Sequence, residues 1–430
     1  LSAGRAAPAI TTETLPSGLR LVTETMREVR SVAVGFWVGS GSRDEPAEMA
    51  GASHFLEHLL FKGTPTRSAS AIAEALDEVG GDCNAYTTKE YTAFYVRLLA
   101  EDLSLGLDIL SEIMWDPALR AVDLEAERSV ILDEILMHAD EPADLVVERC
   151  FGALFPDHPL GRDALGTAES VGAITDTDVR RFFGIHYRPG NMVVSVAGDC
   201  RHDDVARAIE ERFAGTPGGA APARSAPIDP TEPLVVLRRP TEQAHLTLGI
   251  RCVSRFDDDR WAFSVLNHTL GGGMSSRLFQ KVREERGLAY SIGSERLAYQ
   301  DAGSLCVVVG TAPGHVDEVL HIVADELERL ASQGVTEREL AVAKGYLRAE
   351  ALLAGEDSLA RMSRIGAGLL LHDEVKTIEQ ILALIDRVTL DDVHRVAGRL
   401  HEEPRTLAVV GPFDKDRFDG AALGLAGHVA

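Results

Sequence analysis

Residues 51–64 read GASHFLEHLLFKGT, and residues 260–273 read RWAFSVLNHTLGGG. Both are apolar stretches with helical spacing that run out into glycine. At about 3.6 residues per turn, Phe55, Leu56, Leu59 and Leu60 of the first stretch share one broad side. His54, Glu57 and His58 fall in a narrow arc on the other, because positions three and four apart are neighbours on a helix surface. Setting SHFLEH against SVLNH places His54, Glu57 and His58 opposite Ser264, Asn267 and His268. The second stretch lacks the three-residue set, so a helix in this position does not need those side chains to fold.

The correspondence continues outward from the two helices. GLRLVTET and SVAVGFWVGSGSRDE precede the first; LVVLRRP and AHLTLGIRCVSRFDDD precede the second. Each helix is followed by an apolar strand pattern, YTAFYVRLL or GSLCVVVGT, then by long amphipathic helices. Each half closes on a strand pattern, NMVVSVAGD or RTLAVVGP. Strands clustered with helix pairs predict an α+β fold of two homologous domains, each a largely antiparallel sheet covered by helices. The stretch AGTPGGAAPARSAPIDPTEP, residues 214–233, reads as a Gly/Pro/Ala-rich linker. It places an N-terminal domain at 1–215, a linker at 216–232 and a C-terminal domain at 233–430.

The chain has 430 residues, enough for two cores, and its 45% hydrophobic and 26% charged content is that of a globular protein. A net charge of −24 argues against nucleic acid as a partner, since phosphate binding needs a basic footprint, and suits a basic peptide. No apolar run is long enough to span a membrane. The five cysteines, Cys83, Cys150, Cys200, Cys252 and Cys306, are far apart and odd in number, which fits a reducing compartment. The first residues, LSAGRAAPAITTETLPSGL, contain no signal-peptide core. The expectation is a cytoplasmic protein, or one of an organelle matrix if an upstream leader has been removed.

Two histidines one turn apart with a glutamate between them have two readings. One is a partly buried polar seam; the other is a metal site with the histidines as ligands and the glutamate as general base. The order His-x-x-Glu-His is the inverse of His-Glu-x-x-His and is the inverzincin arrangement. A third ligand is then required. LEAERSVILDEILMHADEP, residues 124–142, is a strong helix pattern in which Glu127 and Glu134, seven apart, share a face. Nothing local separates Glu134 from the many solvated glutamates of this chain.

The combination resembles the pitrilysin and mitochondrial processing peptidase family of inverzincin metallopeptidases. In that family the third ligand lies 76 residues beyond the second histidine, which is Glu134 here, and a supporting glutamate seven residues earlier is Glu127. The resemblance covers nearly the whole chain. It implies one zinc ion per subunit held by His54, His58 and Glu134, Glu57 as general base and Glu127 in support. It implies that Asn84 and Ala85, within GGDCNAYTTKEYTAFYV (80–96), lie on an edge strand that pairs with an extended peptide substrate. It also implies that Arg283 and Tyr290, within SSRLFQKVREERGLAYSIGS (275–294), contact substrate near the scissile bond. From the residues alone, Asn84 reads first as an ordinary turn-to-strand residue and Arg283 as a charge at a helix end.

The family's non-catalytic subunit carries a long glycine-rich loop, where this chain has only LGGGMSSRLF. The chain therefore resembles a catalytic-type subunit, and the likeness implies a bacterial source. The expected protein is a zinc endopeptidase that cleaves unfolded peptides inside a clam-shell chamber. It is expected as a homodimer, or as a heterodimer with a related subunit, with Arg283 and Tyr290 of one subunit completing the zinc site of the other. The alternatives are a catalytic subunit that needs a different partner chain, a scaffold subunit of the same fold, and a zinc hydrolase acting on a smaller substrate. Retention of the three ligand candidates and the base speaks against the scaffold. The two-domain length and the Arg283/Tyr290 pair speak against the smaller substrate.

Overall fold

The computed structural model describes residues 10–213 and 218–418. Residues 214–217, which open the Gly/Pro/Ala-rich stretch and include the expected boundary at 215, lie outside the described residues. The chain divides into two compact units. Unit 1 comprises the described residues of Leu1–Ile135, Asp163–Arg224 and Leu352–Ile378; unit 2 comprises those of Leu136–Arg162, Ser225–Ala351 and Glu379–Ala430.

Unit 1 contains the strands β1 (Ile10–Thr14), β2 (Arg20–Thr25), β3 (Ser31–Val38), β4 (Asp82–Thr87), β5 (Thr92–Leu99) and β6 (Met192–Gly198). They form one sheet in the order β1-β2-β6-β3-β5-β4. Every pairing is antiparallel except β2 with β6. Unit 2 contains β7 (Leu234–Arg238), β8 (Ala244–Cys252), β9 (Ala289–Ala298), β10 (Gly303–Thr311) and β11 (Arg405–Gly411), in the order β7-β11-β8-β10-β9. Here the exception is β7 with β11. The two orders match strand for strand, with β1 added at the outer edge of the first sheet. The parallel pair joins the opening and closing strands of each repeat. The long intervening chain makes that pairing possible, since parallel neighbours cannot be joined by a tight turn.

The central strand β3, SVAVGFWV, is apolar at nearly every position rather than alternating, so both of its faces need cover. On one face Val32, Val34 and Phe36 join Phe94, Val96, Val194 and Val196 in a core shared with Phe55, Leu56, Leu59 and Leu60. On the other, Ala33 and Trp37 pack with Val193, Met362, Ile365 and Leu369. Those last three residues belong to the helix Ser358–His372, which comes from the second half of the sequence. Unit 2 repeats the device in reverse. Val146 and Cys150 of the helix Pro142–Leu154, from the first half, pack on Ala408 and Val410.

The exchanged helices press closely on the central strands. A Cβ on Gly35 of β3 would collide with Met362, and one on Gly249 of β8 would meet Cys150 Sγ at 2.6 Å. The helix Ser358–His372 is also pinned by charge. Glu24, on β2 and buried, receives Arg361 Nη1 and Arg364 Nη2 at 2.6 Å each, so its two oxygens are both satisfied. The compact units thus depart from the sequential domains 1–215 and 233–430. Each sheet has two apolar faces, and the second cover of each is supplied by the other half of the chain. No described helix is long and apolar enough to cross a membrane.

Candidate metal centre

The motif helix, Ala52–Leu60, starts abruptly at Gly51, whose φ of 95° lies in the left-handed region. A Cβ there would meet the Leu165 carbonyl oxygen at 2.6 Å. The carboxylate of Glu45 caps the helix, accepting the Gly51 N–H at 2.8 Å and the Ser53 N–H at 2.6 Å. That places a negative charge at the positive end of the helix dipole. Phe55, Leu56, Leu59 and Leu60 are fully buried in the core of unit 1, which turns His54, Glu57 and His58 to the opposite side.

The helix Ala121–Asp140 brings Glu127 and Glu134 to the same place. Glu134 Oε2 lies 3.7 Å from His54 Nε2 and 3.8 Å from His58 Nε2. One donor atom from each of His54, His58 and Glu134 lies within 4.8 Å of the other two. Ligands of a tetrahedral zinc ion stand roughly 3.4 Å apart, as follows from bond lengths of about 2.0–2.2 Å. The two histidine–carboxylate separations are only a few tenths of an ångström wider, so the donor set fits zinc in both chemistry and spacing.

Glu127 is buried and lies with Oε2 3.0 Å from His58 Nδ1. With Glu127 a carboxylate, that bond needs the imidazole proton on Nδ1, which leaves Nε2 as a lone-pair donor on the Glu134 side. The other oxygen, Oε1, is 2.6 Å from Lys62 Nζ. Glu57 sits beside the histidines with Oε2 accepting the Thr87 hydroxyl at 2.6 Å. Burial pushes the Glu57 carboxyl above its ordinary value; the Thr87 hydrogen bond and His58 pull the other way, and Glu134 adds to the rise.

Thr87 is the last residue of β4, and β4 ends the sheet order, so one of its edges carries no partner strand among the described residues. Asn84 and Ala85 lie on this edge strand. Asn84 is exposed, with Oδ1 accepting the Ala85 N–H at 2.8 Å, while Ala85 packs against the core. In unit 2, Arg283 occupies a π-helical turn, Phe279–Glu284, and Tyr290 is the second residue of β9. The two are in direct contact. Arg283 donates to the Tyr290 carbonyl at 3.1 Å and its guanidinium lies 4.7 Å from the centroid of the Tyr290 ring. Tyr290 itself is 79% exposed.

Three contributors escaped the reading of the sequence: Thr87, Lys62 and Glu45. Lys62 stands one turn after His58, so its face was legible while its partner Glu127, far along the chain, was not. Strand alternation puts Thr87 on the same side as Ala85, yet nothing in the sequence ties it to Glu57. Glu45 precedes a loop, and only the folded loop brings its carboxylate to the helix start.

Residues 20–168 match the model of the insulinase family, peptidase family M16, and residues 173–347 match that of the peptidase M16 inactive domain. A protein of Mycobacterium bovis named an uncharacterized zinc protease is 44% identical over 409 residues, which span 94% of this chain and 93% of the relative. The chain belongs to peptidase family M16. A relative of this M16 chain in Bacillus subtilis, also named an uncharacterized zinc protease, is 37% identical and aligns over 93% of this chain and 97% of its own. Two solved structures share the M16 fold. A protease from Helicobacter pylori has a TM-score of 0.87 at 22% identity, with 94% of this chain and 99% of that one covered. A peptidase M16 inactive domain from Pseudomonas fluorescens has a TM-score of 0.87 at 24% identity, with 94% and 98% covered. The region matched by the insulinase-family model holds His54, Glu57, His58, Thr87, Glu127 and Glu134; that matched by the inactive-domain model holds Arg283 and Tyr290.

Proposed function

We propose that this M16 chain is a zinc-dependent endopeptidase that cleaves extended, unfolded peptides. The observation that carries the reading is the convergence of His54, His58 and Glu134 from two helices, with Glu57 fixed beside them by Thr87. Two imidazoles and one carboxylate are a donor set that suits hydrolytic zinc and leaves a coordination position open. His54, His58 and Glu134 would hold a zinc ion, which would supply activation of a water and polarisation of a peptide carbonyl.

The remaining work falls to the chain's own residues. Glu127 keeps His58 in the tautomer whose Nε2 can ligate. Thr87 anchors one oxygen of Glu57; the other takes a proton from the attacking water and returns it to the leaving amine. Burial strengthens the hold of Glu57 on that proton in between. The edge of β4, with Asn84 and Ala85, takes the peptide as an added strand through main-chain hydrogen bonds, which ask little of its sequence. The acidic surplus favours basic peptides. Five free cysteines support a reducing compartment, the cytoplasm.

The deciding experiment is cleavage of a pool of unstructured peptides by wild type and Glu57→Gln, with zinc content measured on both. The expected outcome is zinc in both and a rate lower by about 10²–10⁴-fold in the variant, the usual worth of a general base. Zinc without cleavage by either protein would sink a self-sufficient endopeptidase; a wild type without zinc would remove the metallopeptidase reading. The assembly we infer is a dimer enclosing a chamber, in which Arg283 and Tyr290 of one subunit act at the centre of the other. Glu57→Gln and Arg283→Ala subunits, each inactive alone, then regain activity when co-assembled. A proven mixed dimer that stays inactive rules out the shared site.

A further inference from the structure

The centre gathers three carboxylates, Glu57, Glu127 and Glu134, around two histidines. Glu127 is the most enclosed of the pairs' acidic members there, with its side chain 7% exposed, and both of its oxygens are engaged. Oε2 meets His58 Nδ1 at 3.0 Å and Oε1 meets Lys62 Nζ at 2.6 Å. Lys62 is held in place by its backbone. Its N–H donates to the Leu59 carbonyl at 3.1 Å, and its carbonyl accepts Arg120 Nη2 at 2.8 Å. From the turn just past the motif helix, the lysine therefore reaches a carboxylate presented by a different helix.

Two physical consequences follow from this placement. A dication among three carboxylates leaves one surplus negative charge, and the Lys62 ammonium cancels it at contact distance from the buried member. A carboxylate bound at both oxygens also cannot swing away from the imidazole it orients. An ordinary surface ion pair would be worth little, but here one partner is enclosed and its second oxygen is already committed to a metal-ligand candidate.

We propose that Lys62 is a positioning residue of the zinc centre, acting through Glu127 on His58, so that the Lys62–Glu127–His58 relay sets the affinity for the metal. The proposal rests on the zinc reading above and concerns binding rather than turnover.

The test is zinc affinity, measured on the full chain by competition with a chromophoric chelator, for wild type, Lys62→Met, Lys62→Arg, Glu127→Gln and the double variant Lys62→Met/Glu127→Gln. Lys62→Met keeps the length of the side chain and removes the charge. It is expected to weaken zinc binding about tenfold, the lower end of what outer partners of a metal site contribute. Lys62→Arg is expected to restore most of that loss. In the Glu127→Gln background the Lys62→Met change is expected to add nothing further, because the two act as one unit. Thermal melts of the zinc-free proteins separate this from a fold defect. Wild-type affinity in Lys62→Met overturns the relay, and so does an equal further loss in the double variant. A drop in affinity matched by lower apo stability that Lys62→Arg does not repair overturns it as well. If wild type itself binds no zinc, the metal reading fails and the relay with it; tight binding by both wild type and Lys62→Met overturns the relay alone.

Discussion

The motif helix of unit 1 and the helix Arg260–Leu270 of unit 2 occupy the same place in matching sheets, and they differ in what their polar sides meet. Both bury an apolar face: Phe55, Leu56, Leu59 and Leu60 in one, Phe263, Val265, Leu266 and Leu270 in the other. Both receive a hydroxyl from the edge strand of their sheet. Thr87 of β4 reaches Glu57, and Ser294 of β9 reaches Asn267 Oδ1 at 2.8 Å. In unit 2 the polar side is closed by packing. His268 is 5% exposed, stacks on Tyr346 with ring centroids 4.2 Å apart, and is pushed by burial below its ordinary pKa. In unit 1 the corresponding histidine faces carboxylates instead. The fold accommodates either arrangement; a bound cation, as proposed above, would give the carboxylate-rich one its role.

The largest test of this contrast is a pair of alanine variants. His58→Ala is expected to weaken zinc binding by more than the ~10–100-fold attached to outer partners of a metal site. His268→Ala is expected to leave zinc content unchanged and to cost about 1–3 kcal/mol of stability, as loss of a buried ring does. Equal zinc loss in both, by metal analysis, would erase the distinction between the helices. The two hydroxyls sharpen it further. Thr87→Val removes a hydrogen bond to a charged group, worth about 1.5–3 kcal/mol, and should lower kcat roughly 10–100-fold with KM and zinc content little changed. Ser294→Ala should leave kcat alone and cost about 1 kcal/mol in denaturant unfolding. A Thr87→Val enzyme with wild-type kcat would show that Glu57 needs no such anchor. The last test, at Gly51, reads stability alone. An alanine there must adopt a left-handed φ beside the Leu165 carbonyl, for about 1–3 kcal/mol of lost stability. An unchanged unfolding midpoint would mean that the helix start can be reshaped without cost.

Much of this arrangement was legible before any coordinates. The strand patterns GLRLVTET, SVAVGFWV, YTAFYVRLL and NMVVSVAGD correspond to β2, β3, β5 and β6, and their second-half counterparts to β7, β8, β10 and β11. β1 and β9 were missed. β1, ITTET, is mostly exposed and polar, and β9, AYSIGSERLA, mixes charges and glycine into its run, so neither carries a clean alternation. The two exchanged helices were unreadable as such, because amphipathic spacing marks a helix as needing a partner surface without saying whose. The lysine and threonine at the centre were likewise visible as residues but not as contacts.

The sequence by itself determined the elements and the arc on which His54, Glu57 and His58 stand together, since helical and strand periodicity is a property of the local backbone. Through the spacing of its glutamates and a family resemblance it also pointed to Glu134 and Glu127. Tertiary structure alone decided that Thr87 anchors Glu57, that Lys62 completes the bonding of Glu127, that Glu45 caps the motif helix, and that each sheet is covered by a helix from the other half. Those contacts depend on strand register and on which surfaces meet when two apolar faces must both be buried, and no local period of the chain encodes either.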